Sequence, residues 1–511
     1  MRKTLVAFLL VAVAALSQPR AVAQQAPLLS ELFSRYAEFN RIYAEKRRGG
    51  TAAAMEALRR RSEEAFKKGN IPDLLEVMGE TQALAAGKKW DERQKFISSL
   101  TVDADRLVIE PNQILQVSLT RMFPVNIEKA FATPPTVTFQ ISSSETAARS
   151  GEASPPPLTQ PLAIAERLTI AETSNNAARK LLLPDGAYDV VARIEAGGQM
   201  VAVIKRTIYS IGDFSSSIAQ MSKTIVGIKN STDPKVKALA PLISTIEFRH
   251  QHLAQLNRSR GEVDLDPSKE IDRLVTDLAA LTKGQNPFTQ ERGEIERAYE
   301  APGGKLVPYR LYVPRSYDGA TSRPLVVMLP GSLGGERYYF GGLIDPAQIK
   351  AEAERRGYIL AGVNRRGRPG VGDEDVFEVV AAVMRDYKID PSRIYLSGHS
   401  IGGFDVWLVA SKKPEMFAAI AAVSGGPPAQ GETLTALLAK LKGIPAIIVH
   451  GAQDGLAPIQ LSRTMSAEAE KAGVKVSLVE VPDGDHLSVV ASTFPAILDF
   501  FEKNSKAAVS K

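Results

Sequence analysis

The sequence predicts an α/β fold for the last part of the chain: a mostly parallel sheet covered by helices, preceded by helical segments and a small β-sandwich. Two observations carry this expectation. After about residue 290, short runs rich in Val and Ile alternate with helical patterns, which is how strands buried on both faces read. Before it, apolar positions recur every three or four residues to about residue 100, every two from about 101 to 212, and every three or four again to about 285. The expected organisation is a signal peptide at 1–23, a helical region at 24–100, a β-sandwich at 101–212, a helical linker at 213–287 and an α/β domain at 288–511. A chain of 511 residues is long enough for several domains.

At the N-terminus, Arg2 and Lys3 precede the apolar run "TLVAFLLVAVAAL", and "AVA" at residues 21–23 supplies a small-x-small cleavage site. Cutting after Ala23 leaves Gln24 first. The run is short for a bilayer span; a retained anchor is the rival reading, and no other stretch is apolar enough to span. The mature protein is expected in a bacterial periplasm or the outside medium. There is no cysteine, which removes disulfides, thiolate nucleophiles and cysteine-bound zinc. Removing Arg2, Lys3 and Arg20 lowers the net charge from +6 to +3, too little and too dispersed to argue for a nucleic-acid partner.

In "LLSELFSRYAEFNRIY", Leu29, Leu32, Phe33, Tyr36, Phe39 and Tyr43 make one stripe. A second helix is expected to start with Thr51 as its cap, and Pro72 opens a third. In the β region, Leu115, Val117 and Leu119 alternate with polar residues, as do Val137, Phe139 and Ile141, and Tyr188, Val190, Ala192 and Ile194. "EAGGQ" at residues 195–199 reads as a hairpin turn. Prolines 155–157 mark a loop. Asp233-Pro234 and Asp266-Pro267 each read as a helix cap followed by proline in the first turn. The calcium-loop flavour of "DLDPSKE" fails, because Val275 stands where a bidentate glutamate belongs. In the last domain, one helix carries Val376, Val380, Val383 and Tyr387; others start at Asp345-Pro346 and at Pro458, and stop at Gly357 and Gly473.

In a parallel sheet, functional groups collect at the carboxyl ends of the strands. Ser400 follows "RIYLSGH", inside Gly398-His399-Ser400-Ile401-Gly402, a G-x-S-x-G pattern. A strand turning directly into a helix leaves no room for side chains two residues to either side, so glycine stands there. The serine then lies at a helix N-terminus, which favours negative charge.

A serine nucleophile needs a base. His250 and His252 lie in the helical region, too close in sequence to share a helix face as metal ligands. His399 neighbours the serine and is expected to point away from the reaction side and to hydrogen-bond beneath the sheet. His450 ends the strand "IPAIIVH" and orders the loop that follows. His486, in "VPDGDHL" after the last strand, is left as the base. Its carboxylate partner is Asp454 in "VHGAQDG", rather than Asp483 or Asp485, which are near neighbours in the same loop. The oxyanion donors are the backbone N–H of Ile401 and that of Ser332, with Leu333 as fallback. Two loops bear on substrate choice. One carries Tyr339 in "ERYYFGG". The other carries Arg365, Arg366 and Arg368, with Arg366 the candidate clamp for a carboxylate; an ordinary solvated loop is the alternative.

With these residues in place, the segments "VPYRLYVPRSYDG", "RPLVVMLPGS", "IDPSRIYLSGHSIGG", "VHGAQDGLAPIQLSR" and "VEVPDGDH", between residues 307 and 486, resemble the α/β-hydrolase superfamily. They are similar to its secreted esterase and prolyl-oligopeptidase-like group, which includes feruloyl-esterase and polyhydroxybutyrate-depolymerase relatives. One departure is Pro330-Gly331 where the group usually shows His-Gly. The resemblance implies a serine hydrolase working through Ser400, Asp454 and His486 without a cofactor, on a small-molecule or polymer-derived ester. A peptidase is the alternative; peptidases of this type often carry a β-propeller, for which residues 101–212 are too few. A different alternative is a binding protein with an inert hydrolase domain. The resemblance does not extend to residues 24–287, the region that would hold a partner or polymer.

Overall fold

The computed structural model describes residues 31–506, except positions 33–34, 37, 40, 44, 47–48, 145–161, 165–167, 171–173, 258–264, 333, 342–343, 345 and 365–372. The expected signal peptide, the Pro155–Pro157 loop, Leu333 and Arg366 lie outside them. Among the described residues no helix is long and apolar enough to cross a membrane.

Two compact units are present. One takes residues 240–248 and the chain from residue 286 onward; the other takes the described residues up to 239 together with 249–285. The helix Ala240–Gln255 is divided between them, its residues 240–248 going with the C-terminal unit. In that stretch Thr245 is buried. Its hydroxyl donates to Ala298 O and accepts the Ala298 N–H, satisfying both backbone groups of one residue in the first strand of the C-terminal sheet.

In the N-terminal unit, the described residues between 31 and 46 are helical, and helices Ala52–Lys68, Ile71–Ala85 and Glu92–Ser99 follow. Thr51 does not cap the helix Ala52–Lys68 with its side chain; its hydroxyl donates to Lys46 O. The third expected helix is capped by Asn70, whose side chain accepts from Asp73 N, so that it starts at Ile71 and Pro72 falls inside its first turn. A three-stranded antiparallel sheet (Leu100–Ala104, Ile114–Arg121, Ser174–Lys180) then faces a second sheet built on Thr136–Ser143, Gly186–Ala196 and Gln199–Ser210. Leu115, Val117 and Leu119 from the first pack with Val137, Phe139, Val190 and Ile194 from the second in one apolar cluster, which is a β-sandwich core. Gly197 and Gly198, with φ of 57° and 79°, make the two-residue hairpin turn. The helices Phe214–Lys229, Pro234–Ala238 and Pro267–Thr282 follow, Asp233 and Asp266 capping the last two through their side chains. Arg249 lies buried between Glu270 and Asp277 at 2.6 and 2.8 Å.

The C-terminal unit is organised by one eight-stranded sheet. Its strands are labelled β1 (Gly293–Ala301), β2 (Lys305–Val313), β3 (Arg323–Leu329), β4 (Ile359–Val363), β5 (Ile389–His399), β6 (Ala419–Val423), β7 (Ala446–Gly451) and β8 (Val476–Val481). The spatial order is β1-β2-β4-β3-β5-β6-β7-β8. β1 and β2 form an antiparallel hairpin and β2 runs antiparallel to β4; every later pairing is parallel. Helices α1 (Pro346–Arg356), α2 (Glu374–Asp386), α3 (Ile401–Lys412), α4 (Gly431–Ala439) and α5 (Gln460–Lys471) connect successive strands from β3 to β8, and α6 (Ser488–Glu502) follows the last. Strands β3 to β7 are almost wholly buried, as both-face coverage requires. Ile349 of α1 and Phe494, Leu498 and Phe501 of α6 pack with Val326, Tyr395 and Val449 on one face. Val380 of α2, Trp407 of α3, Leu438 of α4 and Met465 of α5 pack with Val327, Leu396 and Ile448 on the other. The parallel register brings the ends of β3, β5 and β6 level, with Leu329 opposite Gly398 and His399 opposite Val423. The segments leaving these strands therefore emerge side by side.

Candidate active site

Ser400 sits where β5 turns into α3. Its φ of 55° and ψ of −117° put a non-glycine residue in a sparsely populated region, a form of strain concentrated at functional sites. The turn persists because the backbone is locked on both sides: Ser400 N–H donates to Val423 O, and Phe404 N–H donates to Ser400 O. The glycines make the closeness possible. A Cβ on Gly398 would lie 2.2 Å from Gly402 O, and one on Gly402 would lie 2.3 Å from Leu329 O. No residue with a side chain fits either place without moving backbone.

His486 reaches the serine from the loop after β8. Its Nε2 is 2.9 Å from Ser400 Oγ and its Nδ1 is 2.7 Å from Asp454 Oδ2. Asp454 lies in the loop after β7, and backbone contacts join that loop to the His486 loop: Ala452 N–H donates to Val481 O, and Gln453 N–H to Gly484 O. The other carboxylate oxygen, Oδ1, accepts the N–H groups of Leu456 and Ala457 at 2.9 and 2.8 Å. All three side chains are buried. Burial alone would raise the Asp454 pKa. Attraction to His486, the His450 and His486 N–H groups and the Ala457 backbone N–H together outweigh it, holding the carboxyl below the ordinary range. The acid is therefore ionised, as an orienting partner for an imidazole must be. Asp485 is engaged elsewhere, accepting the N–H groups of Leu487 and Ser488 at the start of α6. Asp483 is exposed.

The segment after β3 passes beside Ser400. A Cβ on Gly331 would come within 2.7 Å of the Tyr338 hydroxyl and 3.5 Å of Ser400 Cβ. Ser332 is the next residue, and Ile401 opens α3 directly after Ser400, so the two expected N–H donors belong to the two segments flanking the serine. Tyr339 is not a substrate contact here. Its ring is 2% exposed and its hydroxyl donates to Leu329 O. A buried aromatic hydroxyl has taken the nearest carbonyl at the end of β3, and burial pushes its pKa well up.

The remaining histidines are placed as follows. His250 Nε2 meets Ile218 O at 3.0 Å. His399 is not merely packed beneath the sheet. Its Nε2 is 2.7 Å from the backbone O of His486 and its Nδ1 is 2.6 Å from the Tyr338 hydroxyl. A carbonyl can only accept, so Nε2 carries the proton and Nδ1 accepts from Tyr338. Burial and the neighbouring His486 lower its pKa well below the usual value; it is a neutral strut linking the loop after β3 to the base. Residue spacing held no signal for this contact, because its acceptor is a backbone carbonyl 87 positions away. Among the described residues no group of three or more His, Asp or Glu side chains is placed to hold a metal ion.

Comparison with known proteins bears on this unit. Residues 349–426 match the model of the prolyl oligopeptidase family. An uncharacterized peptidase of Bacillus subtilis (strain 168), YuxL, is 24% identical over 252 residues, 40% of this chain and 38% of that protein; the chain thus spans well under half of that curated relative. Among solved structures, a thermostable esterase is 14% identical with a TM-score of 0.37, covering 80% of this chain and 100% of its own. The feruloyl esterase module from Clostridium thermocellum is 13% identical with a TM-score of 0.35, covering 43% and 92%. The strand order, the antiparallel β2 and the strand–serine–helix turn at the end of β5 give the C-terminal unit an α/β-hydrolase fold, within which residues 349–426 match the prolyl oligopeptidase family model.

Proposed function

We propose that the protein is an exported serine hydrolase that cleaves a carboxylic ester through an acyl-enzyme. The observation that carries this is the unbroken chain Ser400 Oγ–His486 Nε2 at 2.9 Å and His486 Nδ1–Asp454 Oδ2 at 2.7 Å. In this reading His486 takes the Ser400 proton as Oγ attacks the acyl carbonyl. Asp454 steadies the imidazolium that forms, and the N–H groups of Ile401 and Ser332 receive the oxyanion. His486 then gives its proton to the leaving oxygen. Water, deprotonated by the same histidine, releases the acid and restores Ser400. No step requires a cofactor.

Peptide hydrolysis is the second reading, and the match to the prolyl oligopeptidase family favours it. The ester reading draws support from the strands before the hydrolase unit, which form a two-sheet sandwich rather than the propeller often found in such peptidases. Residues 24–287 would then hold a polymer or partner. A panel of short-chain aryl esters and chromogenic peptides separates the two: we expect turnover of the esters, with kcat/KM at least about tenfold above any peptide. The reverse preference overturns the ester reading. Export rests on residues 1–23. Expressed in a Gram-negative host, the protein should appear outside the cytoplasm with Gln24 as its first residue; an intact Met1 in the cytoplasm contradicts it.

A further inference from the structure

His450 is the penultimate residue of β7, four residues before Asp454. It is fully buried. Its Nε2 lies 2.8 Å from Ala457 O and 3.1 Å from Asp454 Oδ2, the oxygen that also meets His486. Both neighbours of Nε2 accept only, so the proton must sit on that nitrogen. Its Nδ1 is 2.7 Å from Ser462 Oγ, and Ser462 Oγ is 3.0 Å from Gly425 O. The imidazole is thereby pinned from α5 and from the segment after β6.

Ala457 closes the arrangement. Its N–H donates to Asp454 Oδ1 while its C=O faces His450. Asp454 is therefore held from both sides by one compact ring: His450 to Ala457 O, Ala457 N–H to Oδ1, and His450 again to Oδ2.

We propose that His450 is a positioning residue for Asp454, setting through its Nε2–H the turn 454–457 and the orientation of the carboxylate that faces His486. This rests on the serine-hydrolase reading above. His450 touches neither substrate nor the reacting serine. Without its N–H, Ala457 O becomes a buried carbonyl lacking that partner, and Oδ2 loses the polar imidazole edge 3.1 Å away. The carboxylate can then rotate, and the imidazole it orients moves with it. Displacements on the ångström scale at a reacting centre are costly.

The test compares His450→Met, which keeps the bulk and removes the donor, with His450→Gln, whose amide N–H extends about as far as Nε2. We expect H450M to lose about 10- to 100-fold in kcat and in the rate of fluorophosphonate labelling, with KM little changed. We expect H450Q to recover most of both. The downfield proton signal of the His486–Asp454 hydrogen bond should weaken in H450M and persist in H450Q. Should H450M not fold, H450N replaces it, since its shorter amide meets Ser462 but not Asp454; it should be as slow as expected for H450M. Wild-type rates in H450M or H450N overturn the proposal, as does an H450Q no faster than a folded H450M. A wild type that neither turns over nor labels fails at the earlier level instead, and overturns the hydrolase reading together with this one.

Discussion

Replacing Ser400 by alanine is expected to lower kcat on the ester that the wild type turns over best by about 10⁴- to 10⁶-fold. The reason is local. Ser400 Oγ is the oxygen within hydrogen-bond distance of His486 Nε2, and no cysteine exists in the chain to substitute as nucleophile. The fold should be undisturbed. The side chain makes no cap bond to α3, and the backbone bonds to Val423 and Phe404 do not involve it. Alanine occupies the same backbone geometry, so the thermal midpoint should stay close to that of the wild type. Circular dichroism and a melting curve check the fold, and steady-state kinetics check the loss. If the variant retains more than about a hundredth of wild-type kcat, another residue carries the chemistry.

The second large effect is expected for Asp454→Asn, about 10⁴-fold in kcat. The surroundings dictate how the amide must sit. At Oδ2 the His486 imidazole can change tautomer and the His450 N–H keeps the closer Ala457 O, whereas Oδ1 receives two fixed backbone N–H groups, from Leu456 and Ala457, and an amide nitrogen there would face two donors. The amide oxygen therefore takes that place and the NH₂ takes the place of Oδ2. It then points at His486 Nδ1, which must lose its proton and accept. The proton moves to Nε2, and a protonated Nε2 cannot take the proton of Ser400. Labelling by a fluorophosphonate should slow by a comparable factor while KM changes little. A variant within about tenfold of wild type would mean that Asp454 does not orient the base.

Acid should not reproduce this variant at mildly low pH. The Asp454 carboxyl is held below the ordinary carboxylate range. A depressed carboxylate contributes stability that is fully present above its unfolded value, about pH 4. That contribution is lost only as pH falls through the lower folded value. Loss of activity near about pH 5 is therefore not expected from Asp454.

The alternation of strand and helix made the sheet and its carboxyl edge legible, since runs such as "IPAIIVHG" have no other comfortable location than a doubly covered strand. Ser400, Asp454 and His486 each directly follow a strand, so the register of a parallel sheet alone brings their loops to one edge. What spacing could not carry was the backbone. His399 and His450 act on carbonyl oxygens of His486 and Ala457, and a carbonyl leaves no trace in residue identity. Tyr339 was misleading because an aromatic residue in a loop reads the same whether its hydroxyl faces solvent or Leu329 O. The helix cap at Asn70 was hidden by the more conspicuous Pro72.

The central claim is that Ser400 is a nucleophile activated by His486. The most direct measurement is mass spectrometry of the full-length wild type after reaction with an aryl fluorophosphonate. A single adduct is expected, localised after proteolysis to the peptide containing Ser400. No adduct, or an adduct on any other residue, contradicts the account.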